Sequence, residues 1–199
     1  MKLLYVGRFS KPKNNLALLK IVNEFILLGI EFTLDFFGDA ETVDLNGMII
    51  KNEFLKTADL YSPRINYHGF QPSSIIFEKE YDFLLLPSFW EGFPVVMLEA
   101  ARSGIIPVCS DIQTGPREFI LNINSYETKL IYPKIGAGGI LMKCPINSND
   151  YQDWADVIKS VFLDKIQLQN LKSEYLKQSK KYSFEEYKSQ WENYLDKFI

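Results

Sequence analysis

The sequence predicts an α/β fold, a doubly wound, Rossmann-like parallel sheet followed by extra C-terminal helices, and three observations carry that prediction. Short apolar runs end in Gly, Ser or Pro. Between them lie longer stretches whose apolar residues repeat at three- and four-residue spacing. After the last run, only helical periodicity remains.

The runs KLLYVG, FTLDFFG, INYHG, DFLLLP, IPVCS and GGILM read as strands, because near-continuous apolar character is what a strand covered on both faces requires. NLALLKIVNEFILLG reads as a helix, and PVVMLEAARSG and GPREFILN as shorter ones ending near Gly104 and Asn122. Three helical stretches close the chain: NDYQDWADVIKSVFL, KIQLQNLKSEYLKQSKK and SFEEYKSQWENYLDKF. Ser183 and Glu186 have the spacing of a capping box at the start of the last. Its stripe of Tyr187, Trp191, Tyr194, Leu195 and Phe198 reads as a buried face on general burial statistics. Residues 1–182 are therefore expected to form one Rossmann-like domain and 183–199 a terminal helix.

Composition narrows the chemistry. With 199 residues and 47% hydrophobic content the chain can bury a substantial core, and a net charge of −3 without a dense Lys/Arg block argues against nucleic acid as a partner. Gly7 and Arg8 interrupt the opening apolar run, and no apolar stretch is long enough to span a bilayer, so the chain reads as cytoplasmic. Cys109 and Cys144 lie far apart in apolar settings that suit reduced thiols. His68 is the single histidine, which excludes His-rich zinc sites and leaves carboxylates, Arg, Lys and backbone amides as the main chemical groups.

In an open parallel sheet, ligands sit beyond the carboxyl ends of the strands. The residues delivered there are Gly7 and Arg8 with Lys13, Gly38 and Asp39, His68 and Gly69, Ser88 to Phe93, and Ser110 and Asp111. The stretch PSFWEGFPVVMLEA sets Glu91 and Glu99 eight positions apart in otherwise apolar surroundings. A charged side chain in such a setting needs a partner, water or a ligand. Pro94 suits the first turn of a helix, which would place Glu91 at its mouth and Glu99 two turns inside. Were both helical, about 12 Å would separate them, too far for a glycosidase pair. The spacing instead fits a long ligand with hydroxyls at both ends and an anion between, facing first-turn amides. A nucleotide sugar has that form, and Arg8 and Lys13 would supply cations for its diphosphate.

VGRFSKPKN, FFGDAE, NYHGF, LLLPSFWEGFPVVMLEAARSGIIPVCSD, GPREFI and GGILM, taken in order, resemble the C-terminal, donor-binding domain of the group 1 glycosyltransferases, glycosyltransferase family 4, with the GT-B fold. The resemblance implies a retaining hexosyltransferase that uses a UDP- or GDP-linked sugar without a required metal or cofactor, in surface polysaccharide or glycolipid synthesis. It implies that Arg8 and Lys13 hold the diphosphate and steady the departing charge, and that Glu91 lies at the transferred sugar beside the amides of Gly92 and Phe93. Glu99 would hold the ribose, Val95 would lie in the helix turn facing phosphate, and Gly7 would allow close approach of the donor. The loop from Tyr67 through His68 to Gly69 would neighbour the base. Glu118 matches a further family glutamate, although a charge favoured by the helix dipole explains it equally well.

The family also has a first, acceptor-binding domain, so this sequence is expected to be half of a larger or split enzyme, inactive alone. Any peripheral contact with the inner face of a membrane is expected through that other half. Three alternatives stay open: a nucleotide-sugar-binding module without turnover, a nucleotide-sugar epimerase of the same fold, and an interaction-only domain with no ligand.

Overall fold

The computed structural model describes residues 1–112, 114–122 and 129–197. Among these residues, seven strands form one sheet: β1 (Lys2–Val6), β2 (Thr33–Phe37), β3 (Ile65–Gly69), β4 (Phe83–Leu86), β5 (Ile106–Ser110), β6 (Lys134–Gly136) and β7 (Gly139–Met142). Their order across the sheet is β3-β2-β1-β4-β5-β7-β6. All pairs are parallel except the β6–β7 hairpin at the edge. The α/β, doubly wound, mostly parallel architecture is as the sequence predicts, including the strand-free C-terminal region. Strand β6 is an addition: KIG is three residues long and largely exposed, so it carries no apolar run to read.

The helices are α1 (Asn15–Leu27), α2 (Leu45–Ala58), α3 (Ser73–Ile76), α4 (Val95–Arg102), α5 (Pro116–Leu121), α6 (Ser148–Leu163), α7 (Lys165–Lys180) and α8 (Phe184–Leu195). Strand residues alternate between two cores. Leu3, Tyr5, Leu34, Phe36, Phe83, Leu85, Val108 and Ile140 pack with α1, α2 and α6 on one face. Leu4, Phe37, Leu84, Leu86, Cys109 and Leu141 pack with Met97, Ala100 and Ala101 of α4 and Phe119 and Ile120 of α5 on the other. Burial on both faces is why the strands read as continuous apolar runs. Helix α7 links the two cores, placing Leu168 and Leu171 in the first and Tyr175 in the second.

Helix ends correct three local expectations. Pro94 is the N-cap of α4 rather than a first-turn residue. Glu91 consequently lies in the preceding loop and Glu99 is the fifth helical residue, little more than one turn in, so a spacing that assumes both are helical does not apply. Ser183 caps α8 by accepting from the amide of Glu186. The reciprocal arm of a box is not made: the Ser183 amide donates to Lys180 O, and the Glu186 carboxylate accepts from Gln190. A full box forms instead at α6, between Asn147 and Asp150.

The larger correction concerns α8. It buries no residue, and Tyr187, Trp191, Tyr194 and Leu195 are all about half exposed. Phe198, the last of the predicted stripe, lies outside the described residues. Helical periodicity reports an amphipathic surface and does not say what covers it. Cys109 is buried and Cys144 half-buried, and both are free thiols.

Candidate functional site

The strand order reverses between β1 and β4, and the loops leaving these strands carry the candidate residues. The loop after β1 is fixed closely. The Gly7 amide donates to Phe37 O at 2.9 Å and the Phe9 amide to Asp39 O at 3.0 Å. Buried Asn15 accepts from the Ser10 amide at 3.1 Å and donates to the Tyr5 hydroxyl at 2.8 Å. Pro12 sits in a short 3-10 turn that ends at Asn14, in the left-handed region, and the Asn14 side chain donates to Pro87 O and Pro145 O, both at 3.1 Å. Arg8 and Lys13 therefore leave a backbone tied to the ends of β2 and β4.

Gly38 makes this junction possible. Its φ is +137°, and a Cβ there would stand 2.0 Å from Gly7 O. The loops after β1 and β2 can close-pack only because that atom is absent.

Beyond this junction opens a cleft of about 860 Å³, whose lining includes Gly7, Arg8, Lys13, Asp39, Glu41 and Phe70. Both cations at its wall hold carboxylates. Arg8 pairs with Glu41, and each side chain is more than half exposed. Lys13 Nζ donates to both carboxylate oxygens of Glu91 at 2.7 Å, and the buried hydroxyl of Ser88 donates to Glu91 Oε1 at 2.7 Å. Glu91 is only 5% exposed. Burial first, and then the Glu91 carboxylate, push the Tyr5 hydroxyl and the Cys109 thiol well above their usual values.

The Glu91 loop is buttressed from behind. Thr114 Oγ1 donates to Glu91 O at 2.6 Å, and Gly115, at φ +67°, lies so close that a Cβ would meet Gly92 O at 2.0 Å. On the other side, the Phe89 amide donates to Pro12 O at 2.8 Å. The Phe93 ring turns away from the cleft to meet Phe119 and Tyr182, at centroid distances of 6.0 and 5.4 Å. Val95 begins α4 and is exposed. Glu99 is half-buried on the same helix, outside the cleft lining, and makes no hydrogen bond or ion pair among the described residues. Glu118 is half-buried in the first turn of α5.

His68 does not line the cleft either. Its ring stacks on Phe37 with centroids 4.5 Å apart, and Nε2 lies 3.1 Å from Asp35 Oδ1. Asp35 also accepts from Asn66 at 3.0 Å and from the Tyr81 hydroxyl at 2.7 Å. Burial works to raise the Asp35 carboxyl, but the adjacent His68 ring and hydrogen bonds from Tyr81 and Asn66 outweigh it and hold the group below its ordinary value. Gly69 accepts from the Gly38 amide at 2.8 Å and turns the chain at φ +68° toward Phe70 and Gln71, which do line the cleft.

The structure thus brings Gly7, Arg8, Lys13 and Glu91 together, with Gly92 beside them. It sets His68 in a cluster on the sheet face, and Phe93 against α5. Sequence reasoning missed Glu41, Thr114 and Phe70. Glu41 stands only three residues beyond the Gly38 turn, so a wider window after each strand would have reached it. Among the described residues, no cluster of His, Cys, Asp and Glu is placed to hold a metal ion, and no helix is long and apolar enough to cross a membrane.

Comparisons with known proteins bear on the family and the fold. The family model described as "Glycosyl transferases group 1" matches residues 1–140. An uncharacterized glycosyltransferase of Methanocaldococcus jannaschii is 24% identical over 140 residues, covering 69% of this chain and 32% of that protein. Among solved structures, HepE of Anabaena in complex with UDP superposes with a TM-score of 0.67 at 18% identity, over 89% of this chain and 43% of its own. The pneumococcal O-GlcNAc transferase GtfA, in complex with UDP and GlcNAc, gives 0.71 at 20% identity, over 98% of this chain and 35% of its own. The chain spans about a third of the archaeal relative and less than half of either solved structure.

Proposed function

The chain belongs to the group 1 glycosyltransferases, and from that premise we propose that it is the donor-binding half of a retaining hexosyltransferase, taking a nucleotide-diphosphate sugar into the cleft beside β1. The observation that carries this reading is the convergence of Arg8, Lys13 and the Glu91-Gly92 loop at the reversal of strand order. Solved structures of the same fold contain UDP.

In this reading the diphosphate lies against Arg8 and Lys13, whose charges stabilise the departing nucleoside diphosphate as the glycosidic bond lengthens. Glu91, gripped by Lys13 and Ser88, fixes the ammonium where the leaving charge develops, and the Gly92 and Phe93 amides stand beside the transferred sugar. Glu99 holds the ribose hydroxyls from α4, with Val95 in the turn that faces phosphate. His68 and Gly69 set the floor of the base region by shaping the chain toward Phe70. The acceptor, and any contact with a membrane surface, belong to a second Rossmann-like half. The exposed aromatic face of α8, in residues 183–199, is the proposed contact for that half. Surface polysaccharide or glycolipid synthesis is the proposed setting, at the cytoplasmic side.

Titration of UDP- and GDP-linked sugars against the chain tests the reading. Binding in the micromolar-to-millimolar range is expected for one nucleotide class, with about tenfold or greater loss in Arg8→Ala and in Glu99→Ala. Affinity unchanged from the wild type in both variants would overturn the site assignment. The isolated chain is expected to transfer little or no sugar to an added acceptor.

A second reading, a nucleotide-sugar-binding module without turnover, draws on Glu91 itself, whose buried carboxylate is fully engaged. Reconstitution with an acceptor-binding half separates the two: a new glycoside supports the enzyme, and persistent binding without turnover supports the module.

A further inference from the structure

Among the described residues, four charged ones line the cleft: Arg8, Lys13, Asp39 and Glu41. Their charges cancel, which is an unexpected composition for a site offered to a diphosphate. The two acids are held differently. Asp39 is turned toward Lys51, whose ammonium lies 2.5 Å away, and also accepts from the Ala40 amide at 2.7 Å. The hydrogen bond from Lys51 holds the Asp39 carboxyl below its usual value, and Asp39 raises the Lys51 ammonium in turn. Glu41 has no such tether and pairs with Arg8 itself.

The Arg8–Glu41 pair stands in solvent, with side-chain exposures of 56% and 54%. Exposed ion pairs of this kind are weak and exchange readily, because water screens the attraction and two long side chains must be ordered to form it. A phosphate offers the same guanidinium a stronger, bidentate partner. Glu41 therefore cannot block the cleft, but it must leave Arg8, and its charge then remains beside the incoming anion.

We infer that Glu41 is an affinity-determining residue of the donor site, competing with the diphosphate for Arg8 and so holding down the affinity for nucleoside diphosphates. The inference rests on the donor-binding reading above. It assigns a function to a cleft residue outside the Arg8, Lys13, Glu91 and Glu99 set.

Calorimetric titration of the whole chain with uridine diphosphate and with guanosine diphosphate, at low salt, tests it. Glu41→Gln keeps the side-chain shape and removes the charge, and about threefold to tenfold tighter binding is expected. The gain should shrink in an Arg8→Ala background, because there is no guanidinium left to compete for, and shrink with added salt. Glu53→Gln, an exposed acid on α2, controls for net charge and should leave the affinity unchanged. If the wild-type chain binds a nucleotide and Glu41→Gln binds it no more tightly, the inference about Glu41 falls while the donor-binding reading stands. A gain equal to that of Glu53→Gln would likewise overturn it. If neither nucleotide binds the wild-type chain or Glu41→Gln, the donor-binding reading itself is overturned, and the inference with it.

Discussion

Asp35, in the middle of β2, and Glu91, in the loop between β4 and α4, are two acids in largely apolar surroundings, and each is tolerated because donors surround it. Glu91 has Lys13 and Ser88, and Asp35 has Asn66, Tyr81 and the nearby ring of His68. A buried carboxylate without such donors would cost several kcal/mol. The Asp35 cluster makes a pH-dependent prediction. An unperturbed aspartate titrates near about 3.9, and the folded chain holds Asp35 lower, so the unfolded chain takes up the proton first as the solution is acidified. The stability drawn from the ionised cluster is whole above the unfolded value and is lost as the pH falls through the lower, folded one. Asp35→Asn is expected to reduce the unfolding free energy by about 1–3 kcal/mol near neutrality. In urea titrations between about pH 7 and about pH 3, the gap between the two proteins should narrow on the acid side. A gap of constant size would show that the carboxylate charge contributes nothing.

At the scale of elements, the candidate site depends on how closely two loops approach. The turn before α5 packs on the loop before α4 through Gly115, and Thr114 ties the same two segments together. Gly115→Ala is expected to destabilise the fold by about 2 kcal/mol or more, because it combines left-handed strain with a carbonyl in the path of the new methyl. Gly29→Ala supplies the contrast: φ is again +67°, but nothing lies within 4 Å, so only the backbone strain of about 1–2 kcal/mol should appear. Chemical denaturation measures both, and nucleotide titration should show weakened binding only for Gly115→Ala, since only that change displaces Gly92 and Phe93. Little of this contact was legible in the sequence. The strand ends were, because both-face burial writes each strand as an apolar run and the ligand edge follows from parallel topology. Arg8, Lys13 and Glu91 could therefore be assigned to one rim before their contacts were known. Glu41 could not, since its meeting with Arg8 depends on the path of the chain after Gly38. Likewise Phe93, an apolar residue in a candidate loop, gives no sign in sequence that its ring is drawn to Phe119 and Tyr182 rather than to a ligand.

The whole molecule is a sheet closed on both faces before its last helix begins. Two hydrophobic cores account for its large buried side chains, and among the described residues the last to join either is Tyr182, packed at the edge of the second. Helix α7 is integral to that closure: Tyr175 is fully buried, its hydroxyl donates to Met97 O, and Gln178 donates to Phe119 O at 3.0 Å. Helix α8 contributes to neither core, although its N-cap is made as that of α7 is and its aromatic residues recur at helical spacing. Its rings contact one another, Trp191 with Tyr187 and Tyr194 at 6.2 and 5.9 Å. Deleting residues 183–199 is therefore expected to move the thermal midpoint by less than about 2 °C, whereas Tyr175→Ala should cost about 3–5 kcal/mol. Nucleotide affinity should survive the deletion, because the cleft lies at the β1–β3 end and takes no residue from α8. Differential scanning calorimetry and nucleotide titration of the shortened chain check both statements. A large drop in the midpoint would mean that α8 packs on the sheet in solution. An unchanged midpoint together with loss of association with an acceptor-binding half would assign the aromatic face to that contact, and would explain why so regular a helix leaves its apolar side uncovered.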